Sequence, residues 1–138
     1  MPVGPEFRLS NDEEILFRQV HVAWIHRGRP SSQMFSPTGK DAGLLSVDRE
    51  SIAGSAALSL ARYQNAGLSS AGAWGVTVAE VEAEGLHAYE DPLPGNDAHA
   101  VIDFGPLAPS QRKGAAARLS VSTARLSACR PSRSAAWR

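Results

Sequence analysis

Apolar and polar positions along the chain fall into short blocks with two periods, and these blocks predict its elements. Ile15-Leu16-Phe17-Arg18-Gln19-Val20-His21-Val22 opens as an apolar run and ends in alternation. That predicts a first strand with Arg18, Val20 and Val22 on one face and Gln19 and His21 on the other. Leu44 to Val47 predicts a second, closed by the charged turn Asp48-Arg49-Glu50. Ile52, Ala56, Leu60 and Tyr63 then recur at spacings of four and three, the stripe of an amphipathic helix with Ser51 as its cap and Gly67 as its stop. Ala73 to Val78 reads as a buried strand. Thr77 and Glu80 have capping-box spacing, so a short helix follows as far as Glu84 and stops at Gly85. Leu86 to Tyr89 predicts a brief strand and His99 to Phe104 the last one. Ser110 then caps a helix from Gln111 to Leu119, which Gly114 and the hydroxyl-rich Ser120 to Thr123 weaken.

Strands and helices intermixed with loops of uneven length predict an α+β fold, a small mixed sheet with two or three helices. The chain divides into a flexible leader over 1–12, a single domain over 13–119 and a basic Arg/Ser/Ala-rich tail over 120–138. Pro2, Gly4 and Pro5 break up the leader, and Gly4 to Phe7 has the character of a cloning remnant.

Composition changes this picture little. At 138 residues, 43% apolar and 20% charged, one core is affordable and wholesale disorder is not indicated. The single cysteine, Cys129, permits no internal disulfide and no Cys-based zinc site, which fits a reducing compartment. No run approaches the roughly 18 apolar residues of a membrane helix, and the N-terminus lacks a signal-peptide pattern. The expectation is a soluble, cytoplasmic chain with no membrane partner. Charge adds one feature: residues 1–109 hold all 14 acidic residues and 7 of the basic ones, and residues 110–138 hold the other 7 basic residues and no acid. Such a tail can attract nucleic acid, lie on its own acidic body, or be a segment never selected for folding. No helix-turn-helix or RNA-recognition motif accompanies it, so specific nucleic-acid binding is not expected.

Candidate chemistry centres on Pro30 to Val47. Pro30, Pro37, Gly39 and Gly43 argue against a helix and for a long surface loop, and long loops in compact domains are often functional. The contact residues expected there are Ser31, Ser32, Gln33, Phe35, Lys40 and Asp41, facing another protein as partner. Arg18 and His21 precede the loop and Ser46 follows it. His21, His26, His87 and His99 show no close metal-ligand spacing, so no metal is predicted. There is no Gly-x-Ser-x-Gly elbow, and Thr38-Gly39-Lys40 lacks the rest of a phosphate loop. Glu80, Glu82 and Glu84, two apart on a helix, diverge and make no dyad. Asp103, alternating out of an apolar strand, needs a partner such as Arg18 or a histidine.

The segments Phe17-Arg18-Gln19-Val20-His21, Ser31 to Thr38, Lys40-Asp41, Leu45-Ser46-Val47 and His99 to Phe104 together resemble a group of small bacterial proteins of uncharacterised function. The resemblance covers Leu16 to Leu119 and implies an aromatic-containing C-terminal helix, from which Ser120 onward departs. A more distant similarity is to ADP-ribosyltransferase-like folds. It implies that Arg18 or His21 on the first strand holds the phosphate or ribose of NAD, that Ser46 on the next supports the nicotinamide ribose, and that a late-strand acid polarises the reacting ribose. That acid would be a glutamate; Asp103 is the substitute here. The resulting expectation is a binding or accessory protein acting through the 30–47 loop without a cofactor, with a NAD-using enzyme as the alternative.

Overall fold

Leu16 and Val20, two turns of the strand period apart, are both fully buried, and the sheet builds outward from them. The structure is a computed structural model and describes residues 5–26, 29–36, 43–68, 70 and 72–123. In chain order the strands are β1 (Ile15–Gln19), β2 (Ile25–His26), β3 (Arg29–Pro30), β4 (Leu44–Arg49), β5 (Ala73–Thr77), β6 (His87–Glu90) and β7 (His99–Asp103). The α-helices are α1 (Glu50–Ala53), α2 (Ala56–Asn65), α3 (Val78–Ala83) and α4 (Pro109–Thr123), and short 3-10 turns occur at Pro5–Phe7, Val22–Trp24 and Ser32–Phe35.

The fold is α+β. Five strands form one sheet in the order β5-β1-β4-β7-β6, while β2 and β3 pair separately. Every pairing in the sheet is antiparallel, where a mixed sheet was expected. The helix-bearing connections explain this: β4 to β5 and β5 to β6 join strands that are never neighbours, so no parallel pair is made.

One face carries the main core. Leu45, Val47, Trp74, Val76, Ala100 and Ile102 join Leu16 and Val20, and Val81 of α3 with Ala115, Ala116 and Leu119 of α4 complete the cluster. On the other face Phe17, Leu60 of α2 and Ala73 make a smaller cluster. Gly75 allows the close approach there: a Cβ would stand 2.6 Å from Ile15 Cγ2 and 3.3 Å from the Phe17 ring.

The helix predicted from Ser51 is broken in two. Gly54, at φ 96°, ends α1, and Ser55 starts α2 by accepting from the Leu58 N–H. Ser51 does not cap, because its hydroxyl and its N–H both donate to Glu14. Ile52 therefore leaves the predicted apolar stripe and is 48% exposed. The Thr77–Glu80 capping box forms as read and starts α3.

The expected flexible leader is corrected where it can be seen. Leu9 is 5% exposed within the main core, its N–H donates to the Ala88 carbonyl at 2.9 Å, and Arg8 bridges β6 at Tyr89 and pairs with Glu82. An apolar residue after the turn can cover the outer strand of the sheet, so residues 5–9 become part of the body. Residues 1–4 and the tail from 124 lie outside the described residues, and the first four residues assigned to the tail, 120–123, continue α4.

Glu14 sits buried beside β1, holding Arg49 at 3.1 and 3.2 Å and both donors of Ser51. Burial pushes its carboxyl upward, but the hydrogen bonds from Arg49 and Ser51 and the Arg49 charge outweigh this and hold it below the ordinary 4.5. Glu82, with Arg8 and His87, is lowered against its own burial in the same way. A folded-state value below the unfolded one adds stability above 4.5, which is lost as the pH falls through the folded value. Urea midpoints are expected to drop in that acid range, and Glu14→Gln should flatten the drop. An unchanged pH profile in the variant would contradict the assignment.

Among the described residues no helix is long and apolar enough to cross a membrane.

Candidate functional site

The register across the sheet locates the site. Phe17 of β1 pairs with Asp48 of β4, and Asp48 pairs in turn with His99 of β7, so these three side chains form one rung on the α2 face. Two residues further along, Gln19 and Ser46 would make the next β1–β4 pair, but the ladder ends at Phe17 and Asp48. The Ser46 carbonyl is taken instead by Arg18 Nη1 at 3.0 Å. Where the ladder stops, a cleft of about 340 Å³ opens. Phe17, Gln19, Ser46, Asp48, Asn96 and His99 line it, together with Arg18, Val47 and Tyr63.

A continuous polar network holds this lining. The buried Ser59 of α2 donates to Asp48 Oδ2 at 2.7 Å and accepts from Gln19 Nε2 at 2.9 Å, while Gln19 Oε1 accepts from Ser70 at 2.8 Å. Asn96 Nδ2 donates to the other Asp48 oxygen at 3.0 Å. Arg62 of α2 donates to Asn96 Oδ1 and stands 3.8 Å from Asp48. Burying a carboxylate requires such partners, and here three side chains supply them, Ser59 and Arg62 from α2 and Asn96 from the β6–β7 connection. His99 is fixed from behind: a carbonyl only accepts, so the 2.8 Å contact from Nδ1 to the Asp91 carbonyl places a proton on Nδ1, with the Asp91 carboxylate 3.3 Å away. In the neutral ring Nε2 is then the acceptor.

The expected site residues separate. Arg18 and Ser46 come together at the cleft, while His21 is exposed, accepts from the Ala23 N–H at 3.0 Å and is not among the lining residues. Arg18 braces the fold, with Nε on the Met34 carbonyl at 2.7 Å, Nη1 on Ser46 and the guanidinium 5.6 Å from the Trp24 ring. Phe35, expected as a surface contact, is fully buried, as is Met34. The polar loop thus carries an apolar pair that α4 draws inward, which is the correction to a surface loop at that point. Ser31 is half-buried and its N–H donates to the Trp24 carbonyl at 2.8 Å. Ser32 and Gln33 lie on the same 3-10 turn, and Lys40 and Asp41 lie outside the described residues. Asp103 does not pair with Arg18; it accepts from the Gly105 N–H at 2.8 Å. Glu80, Glu82 and Glu84 go to Thr77, to Arg8 and His87, and to Arg118.

Three parts of the site are not singled out by the sequence pattern: Asp48, which falls in the charged turn Asp48-Arg49-Glu50, Asn96, and the Asp91–His99 pair. Asp48 continues the alternation of Leu44 and Ser46, so extending β4 by two residues would have found it.

The NAD reading meets a poor fit. Two Arg18 donors are committed to main-chain carbonyls, and among the described residues the carboxylate lining the cleft is Asp48, with no glutamate. Among the described residues no group of three or more His, Cys, Asp or Glu side chains is gathered to hold a metal ion. No protein-family model, curated protein or solved structure matches the chain.

Proposed function

We propose that the protein is a binding domain without catalytic chemistry of its own, and that a small polar ligand enters the cleft between β1 and β4. The observation that carries this is the early end of the β1–β4 ladder, which opens a cleft of about 340 Å³ walled by side chains fixed on strands. That volume lies at the lower end of small-molecule sites, on the order of 300–1,000 Å³, and the mix of Phe17 and Tyr63 with a few converging polar groups is the usual makeup of one. Asp48 already accepts from Ser59 and Asn96 beside Arg62, so it holds the wall in place rather than acting as a base. The accessory role expected of the 30–47 stretch moves to this cleft, which Ser46 and Val47 of that stretch line. Amide NMR with a panel of nucleosides, sugars and amino-acid amides tests the reading. Shifts gathered at Phe17, Ser46, Asp48 and His99 support it, and a panel that moves none of them overturns it.

A NAD-using transferase is the second reading. Its support is that Arg18 and Ser46 line one cleft. Calorimetry decides: no heat and no thermal shift with millimolar NAD removes this reading and leaves the first in place.

A further inference from the structure

Most polar side chains around the cleft are engaged with one another. Both Asp48 oxygens accept, from Ser59 and from Asn96, and both ends of the Gln19 amide are held, by Ser59 and by Ser70. Asn96 Oδ1 accepts from Arg62 and from the Ala98 N–H. His99 differs. Its ring is held from behind, with Nδ1 donating to the Asp91 carbonyl at 2.8 Å, and among the described residues no hydrogen bond reaches Nε2. The residue lines the cleft and is only 9% exposed, so a largely buried ring keeps one acceptor without a protein donor.

The β4–β7 register adds a second point. Ser46 faces Val101 and Asp48 faces His99, so Ser46 and His99 are diagonal neighbours in the lining, roughly 7–8 Å apart along the backbone. Ser46 is exposed there, and its hydroxyl is a donor. Resting on the cleft reading, we propose that the ligand is a neutral amide, with its N–H donated to His99 Nε2 and its carbonyl accepting from Ser46, and that His99 is the residue that selects it. An amide carries donor and acceptor on one planar group, which with a hydrogen bond of about 2.9 Å at either end fits between two such side chains. It is neutral because the lining holds one cation and one anion, Arg18 and Asp48. A carboxylate or an ester has no donor and leaves Nε2 unmatched.

The test uses the full chain at pH 8.5, above the ordinary range of histidine titration, with benzamide, methyl benzoate and benzamidine as probes. Phe17 and Tyr63 in the lining suit the ring that all three share. By calorimetry benzamide is expected to bind about tenfold tighter than methyl benzoate, which keeps the ring and the carbonyl but lacks the N–H. In long-range proton–nitrogen NMR spectra the Nε2 resonance of His99 should be of the unprotonated type, and should move upfield with benzamide but not with the ester. His99→Asn keeps a nitrogen donor for the Asp91 carbonyl, the same number of bonds from Cβ, and should abolish the preference. Equal affinities with shifts at Phe17 and Ser46, or a preference that survives His99→Asn, overturn His99 as the selecting residue and leave the cleft reading standing. A ring protonated at both nitrogens at that pH, or tighter binding of the cationic benzamidine, overturns the neutral amide. If no probe moves a cleft amide the proposal falls, and the wider panel of nucleosides, sugars and amino-acid amides decides separately whether the cleft binds at all.

Discussion

Phe35→Ala is expected to lower the thermal midpoint by about 10–20 °C. The ring is fully buried in the main core beside Met34, and α4 contributes Ala115, Ala116 and Leu119 to the same cluster. Truncating a buried phenylalanine costs about 3–5 kcal/mol, because the lost transfer energy is joined by a cavity that rigid neighbours fill only in part. For a domain of this size one kcal/mol corresponds to roughly 4 °C. The small residues of α4 make collapse around the cavity difficult, since alanines have no longer side chain to swing into the space. Melting followed by circular dichroism checks the value. A shift of under about 2 °C would return Phe35 to the surface role that its polar neighbours in sequence suggest.

The second large effect is expected at Arg18. Replacing it with alanine removes the donors to the Met34 and Ser46 carbonyls and the cation over Trp24. Each main-chain acceptor left unsatisfied costs on the order of 1–3 kcal/mol, and the half-buried setting admits some water, so the combined loss should be about 2–3 kcal/mol. Arg18→Lys should recover less than half of it, because one ammonium cannot span two carbonyls as a planar fork does. Urea unfolding measures the loss. An alanine variant as stable as the parent, yet deficient in NAD affinity, would make Arg18 a phosphate-holding residue and favour the dinucleotide reading.

What could be read from the sequence were the features set by local chemistry. The strands β1 and β4, the Thr77–Glu80 capping box and the last strand from His99 all follow from alternation or from a cap within four residues, and all form, although β1 stops at Gln19 and Val22, expected to end it, opens a 3-10 turn. What could not be read depends on distant partners. Ser51 has the form of a helix cap, but Glu14, from a segment 37 positions earlier, takes its hydroxyl, and the helix begins again at Ser55. Met34 and Phe35 sit among serines and glutamine, and only the arrival of α4, some 80 residues on, makes them core. The cleft follows the same rule. Arg18 and Ser46 were identifiable as residues of interest, yet the reason they meet is a ladder that ends early, and a register is a property of two strands together.

The most direct measurement is disulfide capture in the cleft. Ser46→Cys in a Cys129→Ser background places one thiol at the lining, and a set of small disulfide fragments carrying amides is offered under mildly reducing conditions with intact-mass detection. The account predicts that a few fragments are retained well above the rest, and that retention falls when Gln19→Ala is added. A thiol at Val121, 70% exposed on α4, serves as reference. Capture at position 46 no greater and no more selective than at position 121 would contradict the cleft as a binding site.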